Sequence, residues 1–141
     1  METGGKSARG SGTTGARGFT LVELMIAASV LAILLSIAIP AYRGYVQRAA
    51  VAGAVEVLAG GRVVAERYFL DTGSYEDMPC PGGTRYFSIE CESDADSYTI
   101  TASGNDTMDD LVFTINEQNL RTTSGPWGDG NCWITRKGDG C

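Results

Sequence analysis

The sequence predicts an α+β protein in which a long N-terminal α-helix, apolar and membrane-inserted in its first half, packs on a small antiparallel β-sheet. Three observations lead to this prediction. The hydrophobic residues are massed between Phe19 and Ile39, whereas Gly, Ser, Thr and acidic residues crowd the second half. The spacing of apolar residues changes from helical to partly alternating after residue 70. All four cysteines lie in the distal half, where a disulfide would staple a glycine-rich C-terminal loop.

Residues 1–18 form a basic leader segment. Its charged side chains are Lys6, Arg9, Arg17 and Glu2. The leader therefore carries +2, and because the whole chain carries −6, residues 19–141 carry −8. Positively charged flanks of an apolar segment stay in the cytoplasm, which predicts that the rest of the chain lies outside it. The acidic remainder argues against bulk electrostatic binding of nucleic acid.

The apolar run from Phe19 to Ile39 is long enough to cross a membrane. A helix of this length spans about 31 Å, which matches the hydrocarbon core of a bilayer. The alternative is an ordinary cleaved secretory signal, because residues 36–38 have the small-x-small pattern of a cleavage site. The run exceeds the usual apolar core of such a signal, so we expect it to be retained.

Glu23 is the only charged residue in this run. A carboxylate costs roughly 2.5–3.5 kcal/mol at the centre of a bilayer and less near its edge, so it normally has a partner. If the chain were cut between Gly18 and Phe19, the new α-amino group would lie within about one helical turn of Glu23. In a bundle of such helices Glu23 would neutralise the amine of a neighbour. An alternative role is to complement the helix dipole.

The stretch RGFTLVELMI at residues 17–26 closely resembles the cleavage site of type IV pilins and pseudopilins, Gly-Phe-Thr-Leu-x-Glu before an apolar run. The resemblance implies that a prepilin peptidase of the inner membrane cuts after Gly18 and methylates the amine of Phe19. It further implies that Glu23 serves recruitment and register during assembly. The motif covers about the first third of the chain and specifies processing and assembly.

Pro40 follows the apolar run directly, and a proline removes one helical hydrogen bond and clashes with the preceding turn. We therefore expect a kink or a melted turn at Pro40, after which residues 40–70 form an amphipathic continuation of the helix. The apolar stripe of this continuation is predicted to be core, and it consists of Val46, Ala50, Gly53, Val57, Val64 and Tyr68. Several glycines weaken the helix, so its order must come from packing.

Residues 71–141 are predicted to form a globular head built on the sheet. Segments rich in β-branched and aromatic residues, each bounded by turn residues, predict antiparallel strands. These segments are 85–90, 97–102, 111–115 and, as a short fourth strand, 120–123. Trp127 and Trp133 in the glycine-rich tail are expected to cover the sheet, the alternative being an exposed aromatic contact.

The four cysteines predict disulfides, because an even number lies in a domain expected outside the cytoplasm. Three pairings exist, and we favour the local ones, Cys80 with Cys91 and Cys132 with Cys141. Each closes a short loop that has few apolar residues, and would stabilise the fold by roughly 2–3 kcal/mol. A zinc site is the alternative, but the chain has no histidine and no C-x-x-C, so no metal is expected.

Nothing in the sequence indicates catalysis, so we predict neither an enzyme nor a cofactor. The chain has no histidine for acid–base chemistry and no G-x-S-x-G or Walker-type loop. Its carboxylates lie in turn-like clusters, which favours solvated loop charges. A calcium site among them is an alternative, although the EF-hand spacing is absent.

The motif and the head together resemble a type IVa pilin, with a tail similar to that of PilE-like minor pilins. The resemblance implies a structural subunit with a single pass through the inner membrane, its leader cytoplasmic, that later polymerises into an extracellular filament for motility, adhesion or DNA uptake. Its partners would be homologous pilin subunits, prepilin peptidase, the inner-membrane assembly platform and, before assembly, membrane lipid.

Two alternatives stay open. In the first, the chain is a pseudopilin of a type II secretion system, which residues 125–128 weakly resemble. In the second, the chain is an adhesin or a DNA-binding module that the filament displays, and it contacts a host surface or DNA. For DNA, the tail offers only Arg121, Arg136 and Lys137.

Overall fold

The computed structural model describes residues 18–141; residues 1–17, which hold all of the predicted leader except Gly18, lie outside the described residues. A long helix, α1, is followed by a four-stranded antiparallel sheet with the strand order β1-β2-β3-β4. The elements are α1 Leu21–Thr72, β1 Phe87–Ser93, β2 Tyr98–Gly104, β3 Val112–Asn116 and β4 Arg121–Ser124. This arrangement confirms the predicted α+β fold class.

Both ends of α1 have local caps. Thr20 precedes the first helical residue, and its carbonyl accepts the first helical hydrogen bond, from the Leu24 N–H at 3.2 Å. At the other end Gly73 has a φ of 80°, and its N–H donates to the Phe69 carbonyl at 2.7 Å. A left-handed glycine is a common helix C-cap, because it has no Cβ to clash. The helix therefore ends two residues beyond the predicted limit.

α1 is helical throughout, including Pro40, so of the two expectations for this position the melted turn is wrong, and the kink stays a prediction. A proline removes only the one hydrogen bond that its own nitrogen would donate. Ala38 and Ala41 lie close by and have the highest helix propensity, which favours continuation of the helix across this position.

The chain divides into two compact units, one that ends at Ala38 and one that comprises Ile39–Cys141. In the first unit every large apolar side chain from Phe19 to Ile37 is at least half exposed. An 18-residue stretch of α1 near its N-terminus reaches a mean hydropathy of 2.5, with none of it buried. Its length and composition would allow it to cross a membrane.

In the second unit α1 packs on the sheet mainly through small side chains. Its buried residues are Ala50, Val51, Ala54, Leu58, Gly61 and Ala65. Of the predicted stripe only Ala50 is among them; Tyr68 packs against the core while partly buried, and Val64 is 46% exposed. A Cβ on Gly61 would lie 2.9 Å from Pro81 Cγ and 3.0 Å from Ile100 Cδ1. This close approach admits small residues, so the spacing of the larger apolar residues pointed to a face beside the buried one.

The inner face of the sheet supplies the large core side chains. The largest fully buried ones are Tyr98, Phe87, Phe113, Ile100 and Ile115, and Leu111, directly ahead of β3, is buried beside them. Each strand begins one or two residues later than predicted. β1 begins at Phe87 because its N–H donates to Thr84 Oγ1 at 3.1 Å and its carbonyl accepts from the Thr84 N–H at 2.8 Å. Residues 85 and 86 are thereby held in a bend ahead of the strand.

Two disulfides join Cys80 to Cys91 and Cys132 to Cys141, the local pairs that the sequence analysis favoured. The first ties the connection between α1 and β1 to strand β1. The second closes the C-terminal loop, as the predicted fold class required.

The tail is also held by Thr123 of β4, whose side chain is buried. Thr123 and Gly130 exchange two backbone hydrogen bonds of 2.9 and 3.0 Å. The Thr123 hydroxyl donates to the Cys132 carbonyl at 2.7 Å and accepts from the Ile134 N–H at 2.9 Å. The tail therefore covers the edge of β4 and leaves fewer of its backbone groups unpaired.

Candidate processing and assembly site

Gly18 and Phe19 lie in non-helical backbone directly before α1. Both are exposed, and 79% of Phe19 is open to its surroundings. The bond between them is therefore accessible and lies outside the hydrogen-bonded helix. A Cβ on Gly18 would meet no described atom within 4 Å. The fold of the described residues does not require glycine there, so a requirement for Gly18 would have to come from an enzyme that cuts the chain.

Thr20 and Glu23 bond reciprocally at the start of α1. The Glu23 N–H donates to Thr20 Oγ1 at 3.2 Å, and the Thr20 N–H donates to Glu23 Oε2, also at 3.2 Å. The Thr20 hydroxyl lies 3.4 Å from the same carboxylate oxygen. This pattern is a capping box, which provides partners for N–H groups that a helix start leaves unbonded. Glu23 also lies at the positive end of the helix dipole.

Thr20 is the residue of this site that the sequence analysis did not single out. Its signal is Thr-x-x-Glu directly before an apolar run. Within residues 18–141 the only ion pair joins Arg62 to Glu66 at 3.7 Å. The structure thus gives Glu23 a hydrogen-bond partner, Thr20, but no cation in the described part of the chain.

A second polar cluster lies between α1 and the sheet, around the Glu66 carboxylate. It accepts hydrogen bonds from the Tyr75 hydroxyl at 3.2 Å and the Tyr98 hydroxyl at 3.3 Å. The rings of Tyr75 and Tyr98 meet edge to face, with centroids 4.8 Å apart. Burial, and then the negative charge of Glu66, raise the pKa of both phenols above the ordinary value. The cluster links the loop after α1, the helix and β2.

Trp127 and Trp133 are half-buried and pack against the core, as expected for residues that cover the sheet. The Trp133 indole N–H donates to the Thr114 carbonyl at 2.9 Å, which fixes the ring beside β3. The Arg121 guanidinium lies 4.6 Å from the centroid of the Trp133 ring, a cation–π contact. The Trp133 ring therefore holds the Arg121 guanidinium at the surface and also covers apolar groups of the core.

Asp94 stabilises the turn between β1 and β2. The Asp94 carboxylate accepts from the backbone N–H groups of Asp96 at 2.9 Å and Ser97 at 2.8 Å, and these bonds lower the pKa of Asp94. Across residues 18–141, no three or more His, Cys, Asp or Glu side chains are grouped so that they could hold a metal ion.

The fold and the N-terminal site place the chain in the class of type IV pilins, as its cleavage motif predicted. Residues 14–39 match the prokaryotic N-terminal methylation motif, and residues 40–116, more than half of the chain, match the family described as type IV minor pilin ComP, DNA uptake sequence receptor. The chain belongs to this family of minor pilins.

Individual proteins show the same relationship. The chain is 37% identical over 79 residues to prepilin peptidase-dependent protein D of Escherichia coli K12. This match covers 51% of this chain and 54% of that protein. It is 38% identical over 67 residues to the type IV major pilin protein PilE1 of Neisseria gonorrhoeae, which covers 48% of this chain and 41% of that protein. The chain thus spans about half of the length of the curated relatives it matches.

The fold is similar to that of the non-core minor pilin PilV of Neisseria meningitidis, known from a crystal structure. The TM-score is 0.53 with 20% sequence identity, over 63% of this chain and 96% of that one. At this identity the likeness concerns the fold alone. The relatives are pilins, which are structural proteins.

Proposed function

We propose that this chain is a minor subunit of a type IV pilus. It is inserted in the inner membrane with its leader in the cytoplasm, cut between Gly18 and Phe19 by prepilin peptidase, and methylated on the Phe19 amine. The inner-membrane assembly platform then adds it, with homologous pilin subunits, to an extracellular filament. The family match supports the pilus over a type II secretion system.

The observation that carries this proposal is the uncovered apolar surface of α1 before Pro40. Its large side chains are at least half exposed from Phe19 to Ile37. Burying one such side chain stabilises a protein by roughly 1.5–3 kcal/mol, so an exposed row of them requires an apolar environment. Lipid provides it before assembly, and the helices of other subunits provide it in the filament.

The assignment of the cut is tested by Gly18→Ile in cells that contain prepilin peptidase. We expect uncut precursor to accumulate in the membrane, because an added Cβ meets no described atom within 4 Å, whereas the cleavage motif implies that the peptidase requires glycine at this position. Gly82→Ile is the control, since a Cβ there also meets no described atom within 4 Å. Intact-mass measurement reports the cut. Normal processing of Gly18→Ile would contradict the assignment.

The role of Glu23 is tested by separating its charge from its cap. Glu23→Gln removes the charge and keeps a side chain that can complete a capping box, whereas Thr20→Ala removes the cap, worth about 1 kcal/mol, and keeps the charge. We expect both variants to be cut and only Glu23→Gln to be scarce in sheared filaments. If Thr20→Ala were scarce and Glu23→Gln abundant, the charge would not be what assembly uses.

DNA capture is a second candidate, favoured by the family description and by the exposed Arg121 beside the half-buried Trp133, because cations and aromatic rings are the side chains that contact nucleic acid. Arg136 and Lys137 lie in the same tail and are exposed. The net charge of −8 in residues 19–141 opposes a broad polyanion surface.

The DNA role is tested by fluorescence anisotropy of labelled DNA with the full chain in nanodiscs. We expect salt-dependent binding that weakens when Arg121, Arg136 and Lys137 are all replaced by Gln. An absence of binding by the wild-type chain at low salt would remove this candidate and leave the filament role intact.

A further inference from the structure

We infer that the second unit carries a surface for anionic phospholipid headgroups. We call these side chains the basal patch; they are Tyr42, Arg43, Tyr45, Arg48 and Arg85, and those on α1 surround the helix at one level instead of sharing a single face. The inference rests on the proposed function, because it concerns the subunit while it is still anchored in a membrane. It adds a lipid class and the side chains that would recognise it.

The helical part of the basal patch faces outward. Tyr42 is 69% exposed and Tyr45 is 65% exposed, and both arginines on this helix segment are exposed. Tyr42 and Tyr45 are three residues apart, a spacing that places them on one side of a helix. They follow the apolar run after Pro40, within the same uninterrupted helix.

Arg85 joins the patch from the segment ahead of β1. Together with Tyr45 and Tyr86 it lines an open groove of about 280 Å³ on the second unit. The Arg85 guanidinium lies 5.4 Å from the centroid of the Tyr86 ring, which holds the cation beside the groove. The patch therefore combines tyrosines with cations from two segments that are distant in sequence.

The cations of the basal patch are not neutralised by carboxylates in the described residues. The only ion pair within residues 18–141 is that of Arg62 with Glu66. No acidic residue occurs between Glu23 and Glu56, although residues 19–141 as a whole are acidic. A set of unpaired arginines on an acidic chain is complementary to an anionic partner.

The distance from the apolar run favours lipid headgroups as that partner. At 1.5 Å per residue, Tyr42, Arg43 and Tyr45 lie about 4.5, 6 and 9 Å along the helix beyond Ile39. The headgroup layer on each side of a bilayer is about 5–8 Å thick, so these residues fall at or near it. Arg48 lies further out, and a long side chain can reach back towards the layer. Tyrosines are enriched at this depth, and arginines bind anionic lipids.

The test measures binding of phosphatidylglycerol and phosphatidylcholine to the detergent-solubilised full chain by native mass spectrometry. We expect the wild type to prefer phosphatidylglycerol. Arg43→Gln/Arg48→Gln should lower the affinity for phosphatidylglycerol at least fivefold, because each cation near a membrane surface contributes about that factor. Its affinity for phosphatidylcholine should not change.

The matched control is Arg136→Gln/Lys137→Gln, which removes two exposed cations from the tail. It should keep the wild-type preference, and the leader cations are common to all variants. Equal affinity of the wild type for both lipids, or an equal loss in the control, would overturn the inference. So would a double variant that keeps its lipid preference but is excluded from filaments, because the basal patch would then be a contact with a second subunit.

Resistance to carbonate extraction from membranes is measured on the same samples. A chain that is extracted is not anchored, and that result would contradict the proposed function. A chain that stays anchored but does not distinguish the lipids contradicts only the lipid inference.

Discussion

Glu23 and Glu66 are two carboxylates that accept hydrogen bonds from groups of their own chain, and Glu66 also has a cationic partner. Glu23 bonds Thr20 and so starts α1, while Glu66 accepts from Tyr75 and Tyr98 and pairs with Arg62. A hydrogen bond to a charged acceptor is worth more than one between neutral groups. The Glu23 side chain therefore positions the start of α1, and the Glu66 side chain positions the loop that follows α1.

Tyr98→Phe should change how stability depends on pH. Burial and Glu66 raise the pKa of the Tyr98 phenol in the folded state, so the unfolded chain ionises first, near pH 10. The folded state should therefore lose stability as the pH rises above about 10, and Tyr98→Phe should remove part of that loss. Near pH 7 the same variant should lose about 1 kcal/mol, because its hydrogen bond to Glu66 is gone.

Chemical unfolding followed by near-ultraviolet circular dichroism at pH 7, 9 and 11 measures this effect. Glu66→Gln is a useful companion, because it removes the negative charge that opposes ionisation of the phenol. Identical losses above pH 10 in wild type and Tyr98→Phe would show that Tyr98 does not contribute.

At the scale of elements, α1 is one helix with two kinds of surface. Up to Ala38 it exposes large apolar side chains, whereas its buried face in the second unit is mostly Ala and Gly. Burial of a large apolar side chain in lipid or against a neighbouring helix contributes the most free energy, whereas small side chains allow the helix to approach the sheet closely. The sheet supplies the bulk of the core in return.

Adjacent glycines in α1 should respond oppositely to alanine. Gly60→Ala should stabilise by up to about 1 kcal/mol through helix propensity, because its Cβ meets no described atom within 4 Å. Gly61→Ala has the same gain in helix propensity, but its methyl group would push Pro81 and Ile100 away from the helix, at a cost of roughly 1–3 kcal/mol. Thermal unfolding should place the Tm of Gly61→Ala below that of Gly60→Ala. Equal increases in Tm would mean that the close contact relaxes freely.

At the scale of the whole molecule, the second unit has a core and two stapled loops. The Cys80–Cys91 disulfide secures the connection before β1, and Cys132–Cys141 closes the tail. The tail has a further attachment at Thr123, whose hydroxyl and backbone make four hydrogen bonds with it. The part of the tail up to Ile134 is therefore held independently of its disulfide.

Removing each attachment separately should show this division. Cys132→Ser/Cys141→Ser should destabilise the fold by roughly 2–3 kcal/mol on the loop-entropy model, yet leave the tryptophan emission of the native state unchanged. Thr123→Val removes the hydroxyl partner of the buried Ile134 N–H and of the partly buried Cys132 carbonyl. It should shift the emission to longer wavelength, since Trp133 would loosen. If the disulfide variant showed the larger shift, the disulfide would be the main attachment of the tail.

Much of this structure follows from local sequence signals. The bounds of the four strands were predicted to within a few residues, because alternating apolar residues and flanking turn residues are signals within a single short segment. The capping box at Thr20 was equally readable, since Thr-x-x-Glu is a local pattern. A kink or a melted turn was predicted at Pro40, and the melted turn is wrong, because the loss of one hydrogen bond does not stop a helix whose neighbouring residues favour it.

The sequence by itself determined the α+β class, the extent of the apolar run, the resemblance to pilins and the approximate strands. Only the tertiary structure decided which face of α1 is buried, that Tyr98 reaches Glu66, that Thr123 holds the tail, and that Arg85 lies near Tyr45. The physical reason is the range of the interactions. Capping, hydropathy and alternation act between residues that are close along the chain, whereas a contact such as that of Gly61 with Ile100 depends on how closely two elements approach.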